Sequence, residues 1–231
     1  LLVNPRSVYF DLYSTLIFES ATTPFYDSVA TDLDVDKEVW LQHYRRRKYE
    51  SMAGDICGMD QRVYLSIKDA GYQRPVADVA AVVETHFPSF VESVGLYADT
   101  IETLERLREL DLPLGLISNA SDHSVAIFEN LGLKGYFDSV VFSFQHRFLK
   151  PDSRIYQVGL SELGQKPSNA LYVGDGGDQE LLGARELGFS TILVDRGLPH
   201  TDAARLHADH VITDLADIIP IVDLLQSAVI K

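Results

Sequence analysis

Four reactive residues each follow a short apolar run. Asp11 ends the run Ser7-Val8-Tyr9-Phe10, Ser118 closes Leu112-Pro113-Leu114-Gly115-Leu116-Ile117, and Asp175 closes Ala170-Leu171-Tyr172-Val173-Gly174. Lys150 follows Val140-Val141-Phe142-Ser143-Phe144 after a short loop. Runs of this length bounded by turn residues read as strands. In an open parallel sheet, ligands bind beyond the carboxyl ends of the strands. An acid, a hydroxyl, an ammonium and a second acid would meet there. That set suits covalent catalysis by a carboxylate, which can attack a phosphoryl group or an sp³ carbon and form an ester.

Each residue also has a plainer reading. Asp11 could simply cap a turn. Lys150 could be a solvated lysine, although Pro151 favours an extended residue before it and so suits a side chain placed by a loop. There it would orient Asp11 and offset charge in the transition state. Ser118 and Asn119 either hold an oxygen of the substrate or cap a helix. Thr15 has the same two readings, with helix-start amides near it as further anion donors. The segment Gly174-Asp175-Gly176-Gly177-Asp178-Gln179-Glu180 is either an acid-capped loop or a site for a hard cation. Asp11 and Asp175 at one edge would raise each other's pKa without a cation, which argues for magnesium.

The chain has 231 residues, is 46% hydrophobic and carries a formal net charge of −14. The length suits one α/β domain with an insertion, or two small domains. The composition supplies a sizeable core. The acidity argues against nucleic-acid and anionic-membrane partners. Any phosphate site then needs local cations or a metal. The one cysteine, Cys57, makes no internal disulfide, which suggests a reducing compartment. It sits beside Asp55 without an adjacent histidine, a poor setting for a nucleophilic thiol. No apolar stretch approaches a membrane span, and Leu1-Leu2-Val3-Asn4-Pro5-Arg6 lacks a signal-peptide pattern. The missing initiator Met reads as a trimmed chain. The expectation is a cytoplasmic, soluble protein, monomer or homodimer, acting on a small molecule.

After Thr15 the pattern changes. Residues 19–93 lack strand-like runs and read as amphipathic helices: Asp36 to Met52, Met59 to Ala70, and Val76 to Val94 with an interruption at Pro88. From residue 96 strands and helices alternate. Asp99-Thr100-Ile101-Glu102 has the form of a capping box opening a helix to Leu110. Strands are expected to Ile117, over Ser139–Phe144, to Val173, over Thr191–Val194 and at His210–Ile212, with helices between. This is a parallel α/β sheet flanked by helices. The expected division is a Rossmann-like core of residues 1–17 and 94–231 with an all-helical domain at 18–93.

The segments Asp11-Leu12-Tyr13-Ser14-Thr15-Leu16, Ile117-Ser118-Asn119, Lys150-Pro151-Asp152 and Val173-Gly174-Asp175 with Glu180-Leu181-Leu182-Gly183-Ala184 together resemble the haloacid dehalogenase superfamily of hydrolases. Order and spacing agree, and the helical insertion is similar to that family's cap. The resemblance implies Asp11 as nucleophile, Thr15 and Ser118, with Asn119, as binders of the transferred group, and Lys150 as the charge-stabilising group. It also implies magnesium held by Asp11, the Tyr13 backbone carbonyl and Asp175. Glu180, or Asp178 in its place, would stand behind these ligands or complete the site.

One residue departs from the pattern. Phosphatases of the family carry a second Asp two residues after the nucleophile, and here that position is Tyr13. A phenol with a pKa near ~10 is a poor base at neutral pH, and losing a general acid–base group costs ~10²–10⁴ in rate. Three readings follow. The first is a magnesium-dependent phosphatase with a good leaving group or an acid from elsewhere, with His43, His123 and His146 as candidates. The second is a metal-independent 2-haloacid dehalogenase, a branch with an aromatic at this position and a functional tyrosine near Tyr156. The retained Gly174-Asp175 favours the first over the second. The third is a non-catalytic binding protein. The basic run Arg45-Arg46-Arg47-Lys48 offers one or two side chains to a substrate carboxylate or second phosphate, or else lies on a solvated helix face.

Overall fold

The structure is a computed structural model that describes residues 5–20 and 23–227. Most of the reading of Leu1–Arg6 lies outside the described residues. The strands are β1 (Ser7–Phe10), β2 (Ile17–Glu19), β3 (Val94–Leu96), β4 (Leu114–Ser118), β5 (Ser139–Phe142), β6 (Ala170–Gly174), β7 (Ser190–Val194) and β8 (His210–Ile212). Six form one sheet in the order β5-β4-β1-β6-β7-β8, with every neighbouring pair parallel. The chain runs outward from β1 to β4 and β5, then returns to β6 on the other flank of β1. The strand order therefore reverses at β1, and open α/β sheets take ligands at such a reversal. β1, β4 and β6 are buried along their whole length, so their sequences are continuous apolar runs rather than alternating ones.

Between β2 and β3 lie α1 (Pro24–Asp32), α2 (Lys37–Arg46), α3 (Lys48–Met52), α4 (Met59–Asp69) and α5 (Val76–Glu92). Local chemistry starts the first two. Thr23 accepts from the Phe25 amide with Pro24 in the first turn, and Asp36 accepts from the Val39 amide at 2.9 Å. α4 buries Met59, Arg62, Val63, Ser66 and Ile67, the i, i+3, i+4, i+7 stripe of an amphipathic helix. Phe25, Val29, Trp40, Val63 and Phe90 pack into one apolar cluster that continues to Phe10 and Leu116 of the sheet. The remaining helices are α6 (Thr100–Glu109), α7 (Ser124–Asn130), α8 (Ser143–His146), α9 (Ser153–Glu162), α10 (Glu180–Leu187), α11 (Thr201–Ala204) and α12 (Ile218–Ser227). The opposite face of the sheet packs Tyr9, Ile117, Tyr156, Tyr172 and Phe189 into a second cluster.

Several local expectations need correction. The helix expected over Asp36–Met52 is two helices broken at Arg47, and α5 continues through Pro88. β5 stops at Phe142, because Ser143 starts a helical turn and its hydroxyl bonds the Met52 carbonyl at 2.7 Å. The strand pair β2–β3 is antiparallel and joins the two ends of the helical stretch, a pairing too short to read from sequence. The capping box at Asp99 does not form. Its carboxylate is drawn instead to Arg196, at 2.7 and 2.9 Å, and to the Leu215 amide at 2.9 Å.

Candidate active site

The parallel register brings the ends of β1, β4 and β6 level. Phe10 pairs with Leu116 on one side and Val173 on the other, so Asp11 emerges between Ser118 and Asp175. The Asp11 amide is tied to the Val173 carbonyl at 2.9 Å. After β6 a tight turn with positive φ at Gly176, Asp178 and Gln179 leads into α10 and swings Glu180 back under the strand end. Gly174 permits this, since a Cβ there would lie 2.0 Å from Glu180 Oε1.

Lys150 Nζ stands at the centre of the site. It donates to Asp11 Oδ1 at 2.6 Å, to Glu180 Oε2 at 2.5 Å and to the Tyr172 hydroxyl at 3.0 Å. Tyr172 in turn donates toward Glu180 Oε2 at 3.0 Å, and the Gly176 amide donates to Glu180 Oε1 at 3.0 Å. Lys150 is itself held by Asn119, whose Oδ1 accepts from the Lys150 amide at 2.7 Å and whose Nδ2 donates to the Lys150 carbonyl at 3.2 Å. Asp11, Lys150, Asp175 and Glu180 are all buried. One carboxylate oxygen from each of Asp11, Asp175 and Glu180 lies within 4.8 Å of the others.

Burial raises the Asp11 carboxyl above the usual carboxylate range. Lys150 opposes this and Asp175 adds to it. Burial works to lower the Lys150 ammonium, but Asp11 and Glu180 outweigh it, and its pKa ends up raised. Glu180 is raised, again by burial, against the pull of Lys150. Asp175 also contacts His200 Nε2 at 3.0 Å and accepts from the Gly177 amide at 3.0 Å.

A cleft of about 1190 Å³ opens over this cluster. Its sheet side is Asp11, Asn119, Lys150 and Asp175, and its far wall includes Tyr44, Arg45, Lys48 and Arg62 from the helical stretch. Tyr13 lines it too, but its hydroxyl is engaged with Ser124 Oγ at 2.9 Å, and burial raises the phenol further from neutrality. Thr15 Oγ1 and Ser118 Oγ are buried without a hydrogen-bond partner among the described residues.

Other candidates separate clearly. Asp178 turns away from the carboxylate cluster, accepting from Asn119 at 2.9 Å and from the Tyr49 hydroxyl at 3.2 Å. Tyr156 is in the core, its hydroxyl donating to the Glu180 carbonyl at 2.8 Å. Of the candidate acids His43, His123 and His146, His123 lines the cleft and the other two do not. Within the basic run Arg45 and Lys48 line it, whereas Arg47 pairs with Asp69 and with Glu50. Cys57 is exposed and does not line the cleft.

Sequence reasoning missed Tyr172, His200, Arg196 and Arg62. Arg196 donates to the Thr15 carbonyl at 2.9 Å and so supports the turn after Asp11 from across the molecule. Arg62 left a readable trace, as an arginine on the apolar stripe of α4. Tyr172 left none, because a tyrosine inside a buried strand reads as core.

The comparisons with known proteins agree with this geometry. The family model for haloacid dehalogenase-like hydrolases matches residues 5–188. Ribulose-1,5-bisphosphate 5-phosphatase of Halopiger xanaduensis is 31% identical over 170 residues, 70% of each chain. Glyceraldehyde 3-phosphate phosphatase of Methanothermobacter thermautotrophicus is 28% identical over 227 residues, 96% of this chain and 97% of that one. A 2-haloacid dehalogenase structure from Pseudomonas syringae pv. Tomato superposes with a TM-score of 0.68 at 23% identity, covering 94% of this chain and 97% of that one, a likeness of fold. With the family model matching most of its length and a relative 31% identical over 70% of each chain, the chain belongs to the haloacid dehalogenase-like hydrolases.

Proposed function

We propose that this hydrolase is a magnesium-dependent phosphatase that acts on a small phosphorylated metabolite through an ester on Asp11. A charge count carries the reading. Three buried carboxylates lie together, and one ammonium serves two of them. With all three ionised, two negative charges are left over in a setting where unpaired charge is costly, so burial drives Asp11 and Glu180 toward protonation. One divalent cation would balance the charge and keep Asp11 ionised instead. Asp11, Asp175 and the Tyr13 backbone carbonyl would hold the ion. Glu180, held by Lys150, Tyr172 and Gly176, would stand behind them or complete the site. Magnesium would offset charge on the phosphoryl oxygens. The two similar phosphatases, named for phosphorylated sugars, support the substrate class.

The chain's own residues would then act in order. Asp11, oriented by Lys150, attacks phosphorus as the bond to the leaving oxygen breaks, and that oxygen departs as an anion that takes its proton from water. Thr15 and Ser118, whose buried hydroxyls lack a partner among the described residues but do not line the cleft, would turn to phosphoryl oxygens when substrate binds. Water then attacks the phosphorus of the aspartyl phosphate, releasing phosphate and restoring Asp11. Tyr13 is no proton donor to the leaving oxygen, so esters of good leaving groups react best. In this reading residues 18–93 are a cap that closes over a core of 1–17 and 94–231 and excludes bulk water. Among the described residues no helix is long and apolar enough to cross a membrane. The reading includes a cytoplasmic location, a monomer or homodimer, and no nucleic-acid or membrane partner.

The aromatic at position 13 favours a second reading, a metal-independent 2-haloacid dehalogenase, because a departing halide needs no proton. Hydrolysis of 4-nitrophenyl phosphate with magnesium or with EDTA decides between them. The expected result is magnesium-dependent turnover that falls about 10⁴-fold or more in Asp11→Asn with little change in melting temperature. Halide release from 2-chloropropionate in EDTA, without phosphate release, would replace the phosphatase with the dehalogenase.

A further inference from the structure

Arg45, Lys48 and Arg62 are cations of the cleft that the chemistry above leaves unused, and of these Arg62 is the buried one. It is 6% exposed, yet it has no ion pair among the described residues. Its Nε and Nη2 both donate to one acceptor, the Tyr44 carbonyl, at 3.3 and 2.9 Å. The guanidinium lies 3.8 Å from the centre of the Tyr44 ring. Among the described residues only Nε and Nη2 make hydrogen bonds, which leaves Nη1 to face the cleft that contains Asp11 and that Arg62 lines. Arg196 makes the contrast. Its side chain is buried to a similar degree, 9% exposed, but it is paired with Asp99. A buried guanidinium held only by a carbonyl and a ring lacks the countercharge that buried cations normally have. Glu19 lines the same cleft without reaching Arg62, and the neighbouring Arg45 and Lys48 make that wall cationic in an acidic chain.

We propose that Arg62 receives a second anionic oxygen group of the substrate, a carboxylate or a phosphoryl separate from the one transferred to Asp11. The proposal rests on the phosphatase reading and narrows its substrates to phosphorylated acids and bisphosphates. A planar guanidinium with a free N–H is suited to such oxygens. α4 fixes it through its apolar stripe, with Val63 and Ile67 buried beside it. Tyr44 holds it through its carbonyl and its ring, so little side-chain freedom is lost when the anion arrives.

Binding tests this separately from turnover. The single Trp, Trp40, lies 5.6 Å from the Tyr44 ring and reports on this wall by fluorescence. In the inert Asp11→Asn protein with magnesium, phenyl phosphate, 3-phosphoglycerate and fructose 1,6-bisphosphate are titrated in turn. The expected result is that at least one doubly anionic probe binds more tightly than phenyl phosphate. Adding Arg62→Gln should cut that preference about tenfold or more, and Arg62→Lys should restore part of it. Arg46→Gln, which removes an exposed charge outside the cleft, should keep the preference. The probe that loses its advantage identifies a carboxylate or a phosphoryl as the recognised group. A parent without preference overturns the proposal, as does an Arg62→Gln protein that keeps it. Equal weakening of all three probes with a lower melting temperature overturns it too, by reducing Arg62 to a structural role. Absence of aryl phosphate turnover would instead defeat the phosphatase reading and leave the titration to judge Arg62.

Discussion

The edge of the sheet and the helical wall facing it solve different problems. At the edge, functional groups are fixed from several sides. Lys150 Nζ has three partners, Asn119 has three, and Glu180 is held at both oxygens. Across the cleft, Arg62 has one carbonyl and one ring. Groups that stabilise a developing charge work best when already oriented. A group that selects a substrate must keep bonding capacity free for it. The comparison teaches that the charged groups at the edge are held by several partners, whereas the buried charge on the wall is held by few and keeps bonding capacity for a ligand.

The largest effect that could break this comparison is at the centre of the edge. Lys150→Met would leave Asp11 and Glu180 buried with no ammonium, and removing one partner of a buried pair costs about 3–5 kcal/mol. Protonation of Asp11 would relieve part of that strain and disable the nucleophile. We expect turnover to fall about 10²–10³-fold and the urea midpoint to drop clearly with an unchanged slope. A Lys150→Met protein of wild-type stability would show that the three carboxylates do not depend on the ammonium.

The same contrast explains what the sequence made legible. Asp11, Ser118 and Asp175 follow strand ends, and a parallel register alone suffices to align them. The order of the apolar runs therefore carried both the sheet and the edge. Glu180 rather than Asp178 joins the carboxylate cluster because of a backbone turn with positive φ at two non-glycine residues, which no side-chain pattern announces. The wall is assembled from α2, α3 and α4, and which of Arg45, Arg46, Arg47 and Lys48 faces the cleft depends on the break at Arg47. Helix rotation about packed neighbours is a tertiary outcome. The capping box failed for a related reason: Asp99 has a stronger partner in Arg196, 97 residues away.

That partner supplies a prediction of intermediate size. Burial works to raise the Asp99 carboxyl, but the Arg196 bonds and the Leu215 amide prevail and hold it below its usual range. A folded pKa below the unfolded value gives stability that is complete above the ordinary carboxyl value of ~3.9. It is lost as pH falls through the lower folded value. Asp99 is only partly buried, so screening keeps the effect near ~1 kcal/mol. Melting curves of wild type and Asp99→Asn should differ most near neutrality and converge below about pH 4. Because Arg196 also holds the Thr15 carbonyl, a constant gap down to pH 3 would mean that the edge is braced without this ion pair.

The smallest effect is expected where the two regions join. Arg147 reaches from the sheet side to Asp55 Oδ1 at 2.6 Å, but the two side chains are 64% and 60% exposed. Exposed pairs of this kind contribute about 0.2–1 kcal/mol and are weakened by salt. More buried joints remain nearby: the Ser143 hydroxyl on the Met52 carbonyl at 2.7 Å and the Gly58 amide on Asp122 at 2.5 Å. Gly54, at φ +74°, lets the chains approach so closely that a Cβ there would lie 2.4 Å from the Phe144 carbonyl oxygen. Arg147→Ala should therefore lower the melting temperature by less than ~4 °C, and by less again in high salt. A larger, salt-sensitive loss would mean that exposed charge rather than close backbone packing holds the helical wall against the sheet. The wall would then be free to move with ionic strength, and a recognition surface built on Arg62 would move with it.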